Sequence, residues 1–417
     1  MSRLFRSRIV LAGLPAFAIA LLVLSGCDST TGETSQPQSP NFEVTNDLES
    51  RITDLSDETG SADARTAAES DFSVSGVARV EPQEVEKDDN SYQTKASHLS
   101  FDESGDRVFV GYKIRGAPYG GGIDVLDAED PNNLERAKSL QTDNLDVQEV
   151  IDDPDAGAEY VAGALKTERE GVSPAALTKL SLSGGNGISV DHKRLSGNVA
   201  KSVVNAPSGD DQHDLYVVTD GNSLYRYDSS LGDELKQTVS GVEFSSITAH
   251  QDLLIMLTKS GALWKSDFSS ANDPWKSDLT LEESEIRPLG IARLTTSNHE
   301  NSSDDFVYAA LNTGGFRVLD DDVDEELFRR TGYDYTSVSA TDESDYLYAS
   351  RTDGKVEVYE FDGNDSPSWD LIDTINTANY QDGSSAGQSS QVLAVGNYLY
   401  IANSSGGTLV LEVNDGS

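Results

Sequence analysis

Five stretches of this chain fall into one 13-residue register with no gap: Tyr216-VVTDGNSLYRYD, Ile255-MLTKSGALWKSD, Tyr308-AALNTGGFRVLD, Tyr348-ASRTDGKVEVYE and Tyr400-IANSSGGTLVLE. Apolar and polar residues alternate on either side of a central turn, the period of two that a half-buried strand requires. Gly261, Gly314, Gly354 and Gly406 share one column, which Asn222 fills in the remaining copy. Gly and Asn are the residues that accept φ > 0 in a hairpin turn. Two earlier copies are stretched by insertions, Val108-FVGYKI with Gly122-IDVLD and Tyr160-VAGAL with Ala176-LTKLSL, which brings the hairpins to seven.

Short apolar segments precede the hairpins, at 97–101, 147–151, 245–249 and 337–341 for example, and read as inner strands. Outer-strand candidates follow the first six, at 136–140, 193–195 and 371–375 among others. The unit is four antiparallel strands repeated every 40 to 56 residues. Such a sheet cannot bury both faces alone, and radial stacking gives each sheet two neighbours. The expected fold is all-β, a seven-bladed β-propeller of four-stranded antiparallel blades. The last copy ends at Val413, one strand short, while FSVSGVARV at 72–80 is β-rich and unassigned. An N-terminal strand is therefore expected to close the last blade, which removes two exposed sheet edges.

Val-Phe-Val-Gly, a glycine-rich turn, Gly-Ile-Asp-Val-Leu-Asp and then Asp130-Pro131-Asn132 make up the first blade, and Gly315-FRVLDDD is its nearest echo. This text resembles the LVIVP-repeat propellers of secreted bacterial proteins, which implies architecture and hardly any function. No Asp-Pro follows the third strands of the other blades at that spacing, and repeating Trp-Asp or Gly-His signatures are absent. Trp264, Trp275 and Trp369 do not recur at equivalent positions, which argues against the tryptophan docking motifs of quinoprotein dehydrogenases.

The start of the chain is an address. Arg3, Arg6 and Arg8 precede an apolar run at 9–24, and Leu24-Ser25-Gly26-Cys27 follows. That order is a secretory signal, and its tail resembles the lipobox of bacterial lipoproteins, with Cys27 the lipidated residue and the only cysteine in the protein. The resemblance implies a bacterial cell-envelope protein anchored to a membrane through Cys27, with inner or outer membrane left open. Asp28 resembles the inner-membrane retention signal of enteric bacteria, a rule that does not hold in every phylum. The arginines are not adjacent, so export in the unfolded state is expected. The division is then 1–26 signal peptide, 27–71 lipidated Cys and flexible tether, and 72–417 propeller. Phe42, Leu48, Ile52 and Leu55 have helical spacing within the tether and read as a transient helix.

With 72 Asp+Glu against 31 Lys+Arg, the formal charge is −41. Nucleic acid is excluded as a partner, because binding it requires clustered cations. Self-repulsion at this charge destabilises a compact state unless salt screens it, so a halophilic source is inferred. The acidic run at 320–326 lacks the spacing that wraps one calcium ion and reads as a solvated turn. His98, His192, His213, His250 and His299 fall in different blades at unequal positions, so no metal site is expected. His98 and His250 lie on or beside inner strands, where a structural or solvated role is expected. Gly383-Ser384-Ser385-Ala386-Gly387 matches the G-x-S-x-G elbow in letters but lacks the strand-to-helix context that the elbow needs. No catalytic residue, metal or cofactor is assigned.

Three long insertions, at 112–122, 166–175 and 376–389, border one face over blades seven, one and two. Insertions on one face of a repeat array build its binding surface. Lys113, Arg115, Tyr119, Lys166 and Arg169 there form a local excess of cations and aromatic area, the expected docking site for a protein or an acidic polysaccharide. A non-catalytic binding or scaffold module, monomeric as a propeller, is the favoured reading. The alternative is an enzyme of the propeller lactonase or quinoprotein type with its site in the central funnel, which would need convergent carboxylates or histidines at the inner strands.

Overall fold

In the computed structural model each hairpin of the repeat is the middle of a four-stranded antiparallel sheet, and seven such sheets form the blades of a β-propeller. The structure describes residues 38–414 apart from 46, 57–71, 88, 103–105, 115–118, 133, 135–137, 154–155, 168–170, 184–186, 208–212, 233, 252, 268–274, 282–291, 298–305, 341–345, 363–367 and 381–387. The inner strands of blades one to seven are Lys95–Phe101, Leu145–Asp153, Ala200–Pro207, Phe244–His250, Arg293–Ser297, Tyr335–Ala340 and Gln391–Val395. The outer strand of blade two is longer than expected, the eight-residue Gly187–Arg194.

Alternation in the strands places every second side chain in a groove between blades, and seven apolar clusters result, one for each neighbouring pair. Val110, Tyr112, Tyr400 and Val410 fill the groove between blades seven and one, all fully buried. Each such side chain contributes roughly 1.5–3 kcal/mol on burial. The groove between blades five and six is aromatic: Phe316 meets Tyr335 and Tyr359 edge to face at 5.0 and 5.4 Å between ring centres, geometry that the ring quadrupoles favour.

The ring closes with chain from both ends. Strand β3 (Ser73–Val80) pairs with Thr408–Asn414 from Ser73↔Asn414 to Val80↔Thr408 and takes the outer position of blade seven. The turn before that partner strand needs Gly407, at φ +79°, where an added Cβ would stand 2.0 Å from Val80 O. The shared turn column holds φ > 0 at Asn222, Gly261 and Gly354, but in blades five and seven the left-handed glycine is the next one, Gly315 or Gly407. All five hairpins keep the same pairing, third residue of the repeat to ninth, and in blades five and seven one more bond forms inside it, with Leu311 N donating to Gly315 O and Asn403 N to Gly407 O.

The propeller does not begin at residue 72. Strand β1 (Glu43–Thr45) adds a fifth strand to blade one, pairing Val44 with Leu140. A single turn of helix, α1 (Leu48–Arg51), follows, and β2 (Ile52–Asp54) adds a fifth strand to blade seven against β3. Phe42, Leu48, Ile52 and Leu55 therefore mark a strap and not a transient helix. Phe42 packs on the groove of blades one and two, Leu48 and Ile52 on that of seven and one, and Leu55 on that of six and seven. Arg51 fastens the strap. Its Nη2 donates to Asp124 Oδ1 at 2.7 Å and to Ser139 Oγ at 3.2 Å, and its Nη1 donates to Glu81 O at 2.6 Å. A small hairpin, β4 (Glu84–Lys87) and β5 (Asn90–Gln93), sits in the crossover from blade seven to blade one.

Candidate functional site

The loops joining second to third strands and those crossing between blades share one face, here termed the upper face, where the inner strands begin. Five inner strands bulge close to that end, between Ala96/His98, Val147/Glu149, Ala200/Ser202, Phe244/Ser246 and Tyr335/Ser337. A bulge turns a side chain that would otherwise alternate out of register. The residues after these five bulges and their counterparts in blades five and seven form one column: His98, Glu149, Ser202, Ser246, Arg293, Ser337 and Gln391. In blades two to seven each is opposite the third residue of the second-strand repeat, as in Ser202↔Val218 and Gln391↔Ala402, and in blade one His98 is opposite Gly111.

Six members of this column bond the backbone of the next inner strand. His98 Nε2 meets Val150 O at 3.2 Å, Glu149 Oε2 accepts from Val203 N at 2.9 Å, and Ser202 Oγ pairs with both Ile247 N and Ile247 O at 3.2 Å. Ser246 Oγ accepts from Leu294 N at 3.1 Å, Ser337 Oγ from Val392 N at 2.7 Å, and Gln391 bonds Leu99. The seventh, Arg293, does not bond blade six. Thr295 takes over that link by donating to Val338 O at 2.7 Å.

Arg293 instead spans the channel from blade five to blade one, its Nη2 donating to Ser97 O at 2.6 Å and its Nη1 lying 3.2 Å from His98 Nδ1. The guanidinium has only donors, so His98 Nδ1 accepts and His98 Nε2 carries the proton given to Val150 O. The imidazole is held neutral: burial pushes its pKa well below the ordinary value, and the Arg293 charge adds to this. Burial also lowers Arg293, to about 10, while Glu149 opposes it. Glu149 in turn is raised to about 7 by burial, against its bonds to Ser202 and Val203 and the charge of Arg293. Lys201 is lowered by burial.

A cavity of about 20 Å³ remains among His98, Gln148, Glu149, Lys201, Ser202, Ser245, Ser246 and Arg293. That is room for one water molecule. At this level the Arg293 side chain bridges the channel from blade five to blade one.

The upper face over blades one and two is built as follows. Lys113 turns inward at the channel mouth and donates to Gln148 Oε1 at 2.7 Å. Tyr119 and Lys166 border the loop between blades one and two: Lys87 Nζ, from the β4–β5 hairpin, donates to both Tyr119 O (2.7 Å) and Asp143 O, while Lys166 N donates to Asn144 O at 2.8 Å. Tyr119 and Lys166 thus border one loop, and Lys113, paired with Gly121, stands close by, with Lys113 and Lys87 both acting on Asp146. Arg115, Arg169, Cys27 and Gly383–Ser384–Ser385–Ala386–Gly387 lie outside the described residues. The start of the strap also belongs to this region. Asn144 holds Ser39 O through Nδ2 at 3.0 Å and Asn41 N through Oδ1 at 3.2 Å, and Arg194 reaches Gln38 O at 3.3 Å and Lys166 O at 3.0 Å.

The sequence reading missed Glu149, Lys201 and Arg293. The signal for Glu149 and Arg293 was present as seven polar residues each followed by a branched aliphatic one: His98-Leu99, Glu149-Val150, Ser202-Val203, Ser246-Ile247, Arg293-Leu294, Ser337-Val338 and Gln391-Val392. The acidic run at 320–326 is an ordered turn, in which Asp320 Oδ1 accepts from Asp324 N and Glu325 N at 2.8 and 2.9 Å and Lys265 reaches Asp324 at 2.6 Å. Among the described residues, no group of His, Cys, Asp or Glu is arranged to hold a metal ion.

No protein-family model matches the chain, and no curated protein matches it. Solved propellers do. A structure of Raptor from Chaetomium thermophilum is similar at a TM-score of 0.53 and 14% identity, over 78% of this chain and 28% of that one. The RRP9 WD40 repeats are similar at 0.52 and 10% over 82% and 100%, and U3-55K at 0.52 and 9% over 80% and 98%. The chain therefore spans little more than a quarter of the Raptor chain, and at these identities the likeness is one of fold.

Proposed function

We propose that this chain is a lipid-anchored propeller of the bacterial cell envelope that serves as a non-catalytic binding or scaffold module for a protein or polysaccharide. The observation that carries the reading is the Arg293 bridge to His98 and Ser97, which spends the charged groups of the channel on holding blades together. Buried groups arranged to act on a substrate stay open to it; these are turned onto backbone. The loops of the upper face, with Tyr119 and Lys166 around the Asp143–Asn144 turn, supply the surface that a propeller offers to partners. The acidic surface fits a saline environment, where screening offsets its self-repulsion.

The test is capture from envelope extract at high salt, comparing the wild-type ectodomain with a Tyr119→Ala, Lys166→Glu variant of unchanged melting temperature. A partner retained by the wild type and lost in the variant supports the reading. Equal capture by both removes the site assignment, and turnover of lactone or alcohol substrates that is abolished by Glu149→Gln would replace binding with catalysis.

A further inference from the structure

We infer that the upper face over blades one and two is turned toward the lipid bilayer, so that its partner is a protein seated in that same membrane. The inference rests on the lipid-anchor reading of Cys27 and on where the strap begins. A tether extending to residue 71 would leave the propeller free to turn either face outward. The strap shortens that tether, because the chain is already fastened at Gln38, Ser39 and Asn41 by Arg194 and Asn144. Both fastening residues hold upper-face loops: Asn144 lies in the crossover between blades one and two, and Arg194 binds Leu165 O and Lys166 O.

Between Cys27 and Gln38 there are ten residues, 28–37. Fully extended, they reach at most about 35 Å; as a flexible coil their r.m.s. span is roughly 16–19 Å. The attachment point is thus near the headgroups and on the upper face, so the opposite face, where first strands turn into second strands, points away. The lipid itself is a poor occupant of that surface, because a protein of formal charge −41 is repelled by anionic headgroups. A protein held in the bilayer meets the surface without that cost and gains from the confined geometry, which raises its effective concentration.

The experiment uses the full lipidated chain in vesicles of phosphatidylethanolamine and phosphatidylglycerol. Once lipidated, Cys27 leaves no free thiol, so Asp143→Cys on the upper face and Asn397→Cys in the blade-seven turn on the lower face each give one labelling position; both residues are exposed. Energy transfer from a dye at each position to a headgroup-labelled lipid is measured, together with capture of a biotin at each position by soluble streptavidin. Transfer several-fold stronger at position 143, with streptavidin excluded there and admitted at 397, is the expected result. Insertion of thirty Gly/Ser residues between Pro37 and Gln38 should erase both differences. Equal transfer and equal capture from protein that floats with the vesicles overturns the orientation alone. Failure of the wild type to float, as for Cys27→Ala, overturns the anchor on which it rests.

Discussion

Gln391 and Leu99 share two hydrogen bonds across the closure of the ring, Leu99 N donating to Oε1 at 2.9 Å and Nε2 donating to Leu99 O at 2.8 Å. The side-chain amide acts there as an extra peptide unit between the inner strands of blades seven and one. Gln391→Ala is expected to lower unfolding free energy by about 2–3 kcal/mol, because two buried backbone groups lose partners. Ser337→Ala, which deprives only Val392 N, is expected to cost about 1 kcal/mol. Denaturant titration of both would show whether the column holds the ring; equal losses would argue that it does not.

Arg293 is the one column residue that crosses the channel. Arg293→Leu leaves His98 Nδ1 and Ser97 O without the guanidinium and is expected to cost about 2–4 kcal/mol. Arg293→Lys should not restore this, since an ammonium cannot span both acceptors with a planar fork. The His98 proton resonances, followed by NMR, should shift in both variants.

The buried carboxyls should contribute stability that is lost as pH rises from about 4.5 to about 7, against the opposite contribution of the neutral His98. Glu149 is raised to about 7 by burial, and Asp146 and Glu159 are raised to about 7 and Asp152 to about 6 by the same cause. Each folded carboxyl holds its proton after the unfolded one has lost it, so its contribution is fully present below the unfolded pKa and disappears through the folded one. For Glu149 the full swing is about 3 kcal/mol. Glu149→Gln should flatten part of the curve, stabilising at pH 8 and leaving pH 4 unchanged in calorimetric scans.

The strap should be part of the folding unit. Arg51→Met leaves Asp124, which has no exposed side-chain surface, without the cation that neutralises it while Gln83 still donates, and a loss of about 3 kcal/mol is expected. Replacing both partners, Arg51→Met with Asp124→Leu, should recover much of it. A double-mutant cycle measured by urea unfolding separates the pair from the rest of the strap.

Sodium chloride should raise the melting temperature steadily up to molar concentrations, since the self-repulsion of a −41 chain is screened over a Debye length of about 3 Å at 1 M salt. A flat salt response would remove the halophilic reading.

The blades were legible because their signal is local: a period of two, a turn glycine and a fixed spacing. Closure by residues 72–80 was legible by counting strands. The strap was not, because Phe42, Leu48, Ile52 and Leu55 are spaced like one helix face, yet they enter three different grooves that only the finished ring creates. Arg293 escaped for a similar reason. Its partners, Ser97 and His98, are nearly two hundred residues away, and no short-range pattern marks a side chain that crosses an axis.

The pairing of β3 with the final strand also sets a timetable. Val80 is synthesised more than three hundred residues before Thr408, so the segment that completes blade seven has no partner until the strands of blades one to six have been made. Six blades can assemble from neighbouring sequence, but an open arc exposes an apolar groove and a row of unpaired amides until the two ends meet. Loop closure over that distance is slow. The vulnerable interval is the passage of the nascent chain, and a holding chaperone would find its target in the unsealed gap between blades six and one.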